Sequence, residues 1–215
     1  PHPKLSGTIY TASKEIEGLG GKALPIVCDI RNEEAVDNAI SSCVKQFGGI
    51  DICINNASAV SPTPTTLTPM KRYDLMNEVN ARGTFMLSQK CHPHLKKAEN
   101  PHIVNIAPPL DMDKRWFRNH TAYTMAKYGM SMCTLGMAEE FRKDGIAVNS
   151  LWPMTSIDTA AVRNILGGDS MAKMSRLPTI MADAMYELVT KPANEITGQF
   201  LIDEFVLAES GETNF

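Results

Sequence analysis

The sequence alternates between short, continuous apolar runs and longer segments with helical periodicity. The clearest apolar runs cover residues 50–56, 102–107 and 146–152, and each ends at polar residues or at a proline. Successive side chains of a strand point to opposite faces, so a continuous apolar run is typical of a strand covered on both faces, as in a parallel sheet. Such strands, separated by helices, predict an α/β fold with a parallel sheet.

The other segments complete this pattern. We predict helices over 7–19, 33–47, 71–97, 120–141 and 179–188, and further strands over 22–30 and 199–202. Asn32 should cap the second helix and Gly48-Gly49 should end it, whereas Pro93 predicts a break near the end of the third. The segment around Gly167-Gly168 predicts a mobile flap, because it has little apolar surface to bury.

Composition limits the class of protein. The 215 residues suffice for about one large domain, and 43% hydrophobic with 21% charged residues is typical of a globular chain with a sizeable core. A net charge of −3 does not indicate a surface that binds nucleic acid. The sequence contains no run of 18 apolar residues, so we predict no membrane span. Five scattered cysteines without a Cys-x-x-Cys pair indicate reduced thiols in an intracellular compartment.

Tyr123 and Lys127 are the residues whose spacing suggests chemistry. Residues four apart share one face of a helix, so the phenol and the ammonium should project side by side. A phenol has a pKa of about 10, and a neighbouring ammonium would lower it, which makes Tyr123 a candidate general acid/base. Taken alone the pattern is common, and a helix that merely carries Tyr and Lys remains an alternative.

Five landmarks, in a fixed order, carry a resemblance to a known family. They are Cys28-Asp29-Ile30, Asn55-Asn56-Ala57-Ser58, Asn80 within Val79-Asn80-Ala81-Arg82-Gly83, the Tyr123/Lys127 pair, and Val148-Asn149-Ser150-Leu151-Trp152-Pro153. Together they resemble the short-chain dehydrogenase/reductase family over nearly the whole chain. The fold that the resemblance implies is a Rossmann-type, doubly wound parallel sheet.

The resemblance also implies a reaction and its residues. It implies hydride transfer between a nicotinamide cofactor, NADP or else NAD, and a carbonyl or secondary alcohol. Tyr123 would exchange the proton, Lys127 would assist it and bind the nicotinamide ribose, and Asn80 would hold a relay water. The implied cofactor-binding residues are Asp29 at the adenine, Asn55, Tyr123, Lys127, Pro153, Ile157 and Thr159, with Thr155 beside the last two.

Several phrases are similar to one branch of that family, the hydroxysteroid dehydrogenase-like proteins. These phrases cover residues 1–5, 48–52, 126–132 and 135–141. The branch implies a peroxisomal or mitochondrial location, a role in lipid metabolism and often a C-terminal sterol-carrier-like domain. The family implies a homo-oligomer formed through the helices 71–97 and 120–141. Trp152, Met154 and the Gly167 segment would then shape a pocket for a hydrophobic, fatty-acyl or steroid-like substrate, or they are ordinary core and loop.

The sequence departs from the family pattern in two places. No glycine-rich turn that would seat a pyrophosphate follows a first strand, so we expect two strands and a helix to precede Pro1, and residues 1–215 to be an incomplete single domain. The serine that normally polarises the substrate carbonyl is replaced, since the segment reads Ile106-Ala107-Pro108-Pro109. Ser58 and Thr121 carry hydroxyls that are chemically able to substitute, and losing such a donor can cost about a hundredfold in rate.

Other interpretations remain open at this point. A catalytically weak family member that binds nucleotide or lipid fits the missing serine, and a sugar-nucleotide epimerase also uses a Tyr-x-x-x-Lys pair. Cys91-His92-Pro93-His94 could suggest a metal site, but no distant ligands accompany it and we expect none. The Asp203-Glu204 pair after the last strand should be exposed.

Overall fold

A parallel sheet of four strands organises the chain in the computed structural model, which describes residues 7–212 without the side chains of 165 and 166. The strands are β1 (Ile52–Asn55), β2 (His102–Ile106), β3 (Ala147–Trp152) and β4 (Phe200–Ile202), in the spatial order β1-β2-β3-β4. Every neighbouring pair is parallel. The predicted α/β class with a parallel sheet is therefore confirmed.

Helices connect and follow these strands. They are α1 (Ile9–Gly18), α2 (Glu33–Phe47), α3 (Met70–Met76), α4 (Gly83–Leu95), α5 (Thr121–Glu140), α6 (Gly168–Ala172), α7 (Thr179–Thr190) and α8 (Asp203–Glu209). A π-helical turn, Asn77–Arg82, joins α3 to α4, and a second, Val162–Leu166, precedes α6. The predicted break at Pro93 is wrong, because α4 continues through this proline to Leu95. The predicted flap around Gly167-Gly168 is helical on both sides.

The termini of α2 follow local sequence signals. The Asn32 side chain accepts a hydrogen bond from the backbone N–H of Ala35, as an N-cap does. At the other end Gly48 takes a left-handed conformation with φ of 90°, which glycine adopts without a steric penalty. Both boundaries of this helix were predictable from sequence for that reason.

The predicted strand over residues 22–30 does not form, although the segment is apolar enough. A strand needs a neighbour to accept its backbone hydrogen bonds. Among residues 7–212, β1 pairs with β2 only, and residues 22–29 adopt no regular structure. The lack of a second neighbouring strand among residues 7–212 also affects β1, which we predicted to be covered on both faces. Ile52 and Ile54 are instead about 40% exposed, whereas Cys53 and Asn55 are buried.

The described residues form two compact units, which are treated separately below. One comprises residues 29–152 and 188–202, and the other the described parts of 1–28, 153–187 and 203–215. The core of the first unit joins α2, α4 and α5 to the sheet. Its buried members are Val36, Ile40, Cys53, Met86, Cys91, Leu95, Ile103, Met137, Ala138, Ile146 and Val148. The central strands β2 and β3 are buried almost throughout.

Three further findings concern the sequence predictions. Asp203 is 1% exposed, so the predicted exposure of this residue is wrong. Residues 1–5, part of the family resemblance, lie outside the described residues. Between residues 7 and 212, none of the helices combines the length and apolar character that crossing a bilayer requires.

Candidate active site

Tyr123 and Lys127 stand one turn apart on α5, the longest helix described. Tyr123 is partly buried and packs, together with Ala59 and Tyr73, against a small cluster formed by Met76, Ala122 and Ala126. Lys127 is only 3% exposed. Both side chains belong to the unit that contains the sheet.

Lys127 carries its ammonium into the protein, and no acidic side chain between residues 7 and 212 pairs with it. Its Nζ donates to the carbonyl oxygen of Ile106 at 2.6 Å, at the carboxyl end of β2, and lies 3.3 Å from the Met130 sulfur. The same Nζ lies 5.1 Å from the centroid of the Trp152 ring, a cation–π distance. Burial lowers the Lys127 pKa from 10.5 to about 8. Among the residues described, no carboxylate forms an ion pair with this ammonium.

The phenol of Tyr123 behaves differently from the prediction. Burial raises its pKa above the ordinary value of 10, so the expected lowering by the Lys127 ammonium is wrong for this state of the protein. The reason is that burial removes water from the phenol, and this desolvation disfavours the charged phenolate. At neutral pH Tyr123 is therefore protonated and equipped to donate a proton.

Asn80 is fully buried in the π-helical turn between α3 and α4. Its side-chain oxygen accepts from the Ala59 N–H at 2.8 Å, and its amide nitrogen donates to the Ala59 carbonyl at 3.0 Å. The Asn80 amide thus fixes the backbone of a residue that packs on the same small cluster as Tyr123. The π-helical turn itself lies close to α5, since a Cβ placed on Gly129 would come within 2.6 Å of the Ala81 Cβ.

Five side chains of α5 hold the segment that follows β2. Lys127 binds the carbonyl of Ile106, as described above, and the other four also donate to backbone carbonyl oxygens of this segment. The pairs are Ser131 to Pro108 (2.6 Å), Tyr128 to Asp111, Thr124 to Trp116 (2.5 Å) and Thr121 to Phe117 (3.0 Å). The segment 106–117 is therefore fixed along the helix that carries Tyr123. No local sequence pattern predicts this arrangement.

Of the two hydroxyls that could replace the missing serine, the structure shows that of Thr121 to be engaged elsewhere. Ala107, one of the two residues at the serine position beside Pro108, is fully buried. Thr121 has a single hydroxyl hydrogen and donates it to the Phe117 carbonyl, so it has none left for a substrate. Ser58 is exposed. A carbonyl substrate would thus receive its hydrogen bond from Tyr123 among the groups predicted for this site.

Asn55 belongs to a buried chain of hydrogen bonds that crosses three strands. Its amide nitrogen donates to the Ser88 hydroxyl at 2.9 Å and to the side-chain oxygen of Asn105 at 2.7 Å. Asn105 donates to Thr134 on α5, which bonds Ser150 on β3, each at 2.7 Å. Because Asn55, Asn105 and Ser150 are register partners, their side chains line up across the sheet. Sequence reasoning missed all of these partners, since the contacts join distant segments.

Asp29, the predicted adenine contact, forms an ion pair with its near neighbour Arg31. The shortest N–O distance is 2.6 Å, and the guanidinium beside it lowers the Asp29 pKa to about 2. Arg82 also donates to the Arg31 carbonyl at 2.9 Å. Asp29 is therefore ionised at any physiological pH, and it is exposed enough to accept further hydrogen bonds.

The remaining predicted residues are Pro153, Ile157 and Thr159. They belong to the unit without the sheet, at the start of its segment 153–187. Ile157 forms a parallel bridge with Arg176: the Asp158 N–H donates to the Arg176 carbonyl at 2.8 Å, and the Arg176 N–H to the Ser156 carbonyl at 2.9 Å. Thr159 accepts from the N–H groups of Val162 and Arg163. The segment 153–159 is thus ordered by its own partners.

The residues present fit one end of a nicotinamide dinucleotide. An ammonium has three hydrogens, and Lys127 directs two toward Ile106 and Met130, which leaves one for a ribose hydroxyl. The pyrophosphate is normally held by a glycine-rich turn between a strand and a helix. None of the four strands described is followed by such a turn. Tyr123 and Lys127 would hold this nicotinamide end.

Known proteins are similar to this chain in sequence and in fold. A family model described as enoyl-(acyl carrier protein) reductase matches residues 8–202. Hydroxysteroid dehydrogenase-like protein 2 of Danio rerio is 56% identical over 215 residues, all of this chain and 51% of that protein. The crystal structure of a short-chain dehydrogenase from Mycobacterium thermoresistibile is 54% identical, with a TM-score of 0.93 over 100% of this chain and 76% of that one.

One further similar structure was solved with bound ligands. The structure of a 7α-hydroxysteroid dehydrogenase complexed with NADH and 7-oxo glycochenodeoxycholic acid is 26% identical, with a TM-score of 0.79, and covers 90% of this chain and 78% of that one. The chain belongs to the short-chain dehydrogenase/reductase family, whose fold is of the Rossmann type. It spans about half the length of the curated relatives that it matches. The family supports an oxidoreductase.

Proposed function

We propose that the protein is an NADP-dependent oxidoreductase that transfers a hydride between the nicotinamide and a carbonyl or secondary alcohol. NAD is the other candidate cofactor. The substrate that we propose is hydrophobic, of fatty-acyl or steroid-like type. A related enzyme with the same fold was solved with NADH and a bile-acid ketone, and this supports the class of cofactor and substrate.

The buried Lys127 is the observation that carries this proposal. Lysine is almost never fully buried unless its charge is paired, because an unpaired charge loses its hydration. Here the ammonium has a carbonyl, a sulfur and an aromatic ring around it, and it lies one turn from a phenol. A buried residue with a strongly perturbed pKa beside a proton-transfer group is typical of active sites.

The proposed mechanism assigns each step to a residue of this chain. Tyr123 and Lys127 would hold the nicotinamide end of the cofactor, which when bound would supply the hydride that a carbonyl carbon accepts. Tyr123 donates its phenolic proton to the carbonyl oxygen, which becomes the hydroxyl of the product. The Lys127 ammonium, one turn away on α5, would stabilise the phenolate that results, because a nearby opposite charge favours the charged form. Asn80 fixes the backbone of Ala59, and a water near this turn would return a proton to Tyr123.

Turnover by the purified protein tests this function. NADPH oxidation is followed with a panel of medium- and long-chain acyl ketones and steroid ketones, and repeated with NADH. We expect Tyr123→Phe to reduce kcat by about a hundredfold or more, since the proton donor is lost while the ring remains. Tyr73→Phe is the matched control, because this tyrosine packs on the same cluster. Equal rates for the wild type and Tyr123→Phe would reject the assignment of Tyr123.

The second candidate function is a weakly active member that binds nucleotide or lipid. Ala107 and Pro108 at the serine position and the commitment of the Thr121 hydroxyl to Phe117 favour it. Ala107→Ser separates the two candidates, with Ala107→Cys as a control of similar size and poorer donor strength. A rise in kcat of about tenfold or more in Ala107→Ser alone would indicate that the missing donor limits turnover. An unchanged kcat would show that a hydroxyl at position 107 does not contribute to turnover.

We further propose that the protein forms a homo-oligomer through α4 and α5. Phe85 on α4 and Met125, Met132 and Leu135 on one side of α5 are each about half exposed. Large apolar side chains grouped on exposed helix faces often mark protein–protein contacts. The partner would be a second copy of the chain, as is usual in this family.

A peroxisomal or mitochondrial location is also proposed, by resemblance to the hydroxysteroid dehydrogenase-like branch. A role in lipid metabolism would follow from the same resemblance. Fluorescence microscopy of the tagged protein, with markers for each organelle, tests the location. A uniformly cytosolic signal would contradict it.

A further inference from the structure

Asp203 is a buried carboxylate to which sequence reasoning gave no role. It follows β4 directly, and it is 1% exposed. Its Oδ1 accepts hydrogen bonds from the backbone N–H groups of Met154 and Glu204, both at 2.8 Å. Its Oδ2 is buried and has no hydrogen-bond partner among the described residues. Asp203 therefore holds the start of the segment that follows β3.

Glu204 holds the other end of the same segment through Arg176. The Arg176 guanidinium binds Glu204 Oε1 from Nη2 at 3.0 Å and from Nε at 3.2 Å. The Arg176 backbone exchanges hydrogen bonds with Ser156 and Asp158. Two adjacent acidic residues thus fix residues 154–158, one directly and the other through an arginine.

Strand register explains why these partners meet. Trp152 and Ile202 are register partners in the last row of β3 and β4. Pro153 has no backbone N–H, so Met154 is the first residue after β3 that can donate. The Asp203 side chain accepts a hydrogen bond from the Met154 N–H. This bond joins the two chain segments one step beyond the last register pair of β3 and β4. Tethering a backbone at a strand end with a buried acidic side chain is costly, since a buried carboxylate oxygen without a partner is unfavourable.

We propose that Asp203 and Glu204 are positioning residues that set cofactor affinity through the segment 154–158. This inference rests on the proposed function and on the family resemblance, which implies that Pro153, Ile157 and Thr159 bind the cofactor. The two acidic residues touch neither cofactor nor substrate; they fix the backbone that does. Preorganised backbone lowers the ordering cost of binding, so loss of a tether should weaken binding more than it slows the proton transfer.

Variants at both positions test the proposal in the purified protein. Asp203→Ala removes the acceptor, Asp203→Asn keeps one acceptor oxygen for Met154, and Glu204→Gln weakens the Arg176 contact. Asp183→Asn is the matched control, because it removes an exposed carboxylate on α7 in the same unit. The readouts are the NADPH dissociation constant, kcat and KM, and amide hydrogen exchange of residues 153–159 without cofactor.

We expect Asp203→Ala to raise the NADPH dissociation constant and KM by about tenfold, with a much smaller change in kcat. Exchange should accelerate in residues 153–159 and remain unchanged in α5. Asp203→Asn should bind NADPH within about threefold of the wild type, Glu204→Gln should lie between the two, and Asp183→Asn should have no effect. Should Asp203→Ala fail to fold, Glu204→Gln carries the same test.

Two outcomes would overturn the inference. In the first, Asp203→Ala and Glu204→Gln bind NADPH as tightly as the wild type. In the second, exchange accelerates equally throughout the chain, which would mean a general stabilising role. Failure of the proposed function looks different, because the wild type itself would then bind neither NADPH nor NADH, or Tyr123→Phe would retain full turnover.

Discussion

At the scale of single residues, burial destabilises the charged form of Lys127 while its neighbours stabilise it. Its ammonium is desolvated in the interior, yet it receives a carbonyl hydrogen bond at 2.6 Å and an aromatic face at 5.1 Å. The balance leaves its pKa at about 8, so the side chain is largely charged at neutral pH at a cost in stability. Retaining such a residue makes sense when its charge serves the neighbouring Tyr123.

The pH dependence of stability should reveal this cost. Below pH 8 Lys127 is protonated in both states, and between pH 8 and 10.5 the unfolded chain binds a proton that the folded protein does not. The free energy of unfolding of the wild type relative to Lys127→Met should therefore rise by up to about 3 kcal/mol over this range. Urea denaturation at pH 7 and pH 10 measures the difference.

Lys97→Met is the control for this measurement, because it makes the same change at an exposed site. Its difference from the wild type should vary little with pH. A pH-independent difference for Lys127→Met would show that Lys127 keeps an ordinary pKa in the folded protein.

Local sequence predicted that Tyr123 and Lys127 share a helix face, but not the environment of the two side chains. The shared helix face of Tyr123 and Lys127 follows from spacing alone. The direction of the Tyr123 pKa depends on burial by Met76 and other residues remote in sequence, which no local pattern reports. Asp203 was predicted to be exposed for a similar reason, since its partner Met154 lies far away in the chain.

At the scale of elements, α5 links the sheet to the candidate site. Its Met137 and Ala138 pack in the core, and five other side chains hold the segment 106–117 by hydrogen bonds. The close approach of Gly129 to Ala81 places the π-helical turn that contains Asn80 directly against this helix. The position of Asn80 relative to Tyr123 thus depends on a small residue at position 129.

Substituting two glycines of α5 should have opposite effects on stability. At Gly136 nothing lies within 4 Å of an added Cβ, so Gly136→Ala should stabilise the protein by about 0.5–1 kcal/mol. At Gly129 the added Cβ would meet the Ala81 Cβ at 2.6 Å, so Gly129→Ala should destabilise it by about 1–2 kcal/mol. Thermal and urea unfolding measure both. Equal stabilisation by the two variants would contradict the close packing.

Elements were predictable where local signals suffice. Asn32 and Gly48 mark both ends of α2, and the apolar runs mark β1, β2 and β3. The strand predicted over 22–30 failed because strand formation depends on a neighbouring strand rather than on apolar content. The continuation of α4 through Pro93 also escaped prediction, since packing of Cys91 and Leu95 in the core favours the helix beyond the proline.

At the scale of the whole molecule, the exposed apolar face of α4 and α5 is the feature that calls for a partner. If two copies associate there, a charge on this face should separate them, because a desolvated unpaired charge is costly. We expect Met132→Glu and Leu135→Glu to shift the protein to a smaller species in sedimentation velocity. Met174→Glu, an exposed methionine in the other unit, should leave the size unchanged.

A monomeric wild type would contradict this prediction, as would an oligomer that survives both substitutions. The measurement is made on the intact protein at several concentrations, since dissociation of a weak oligomer depends on concentration.

The transfer of deuterium tests the central claim most directly. The purified protein is incubated with NADPH deuterated at the reactive nicotinamide carbon and with a hydrophobic ketone from the panel, and the product alcohol is analysed by mass spectrometry. We predict one deuterium on the carbinol carbon with the wild type, and a rate lower by about a hundredfold or more with Tyr123→Phe. An alcohol without deuterium, or equal rates for the two proteins, would contradict hydride transfer with Tyr123 as the proton donor.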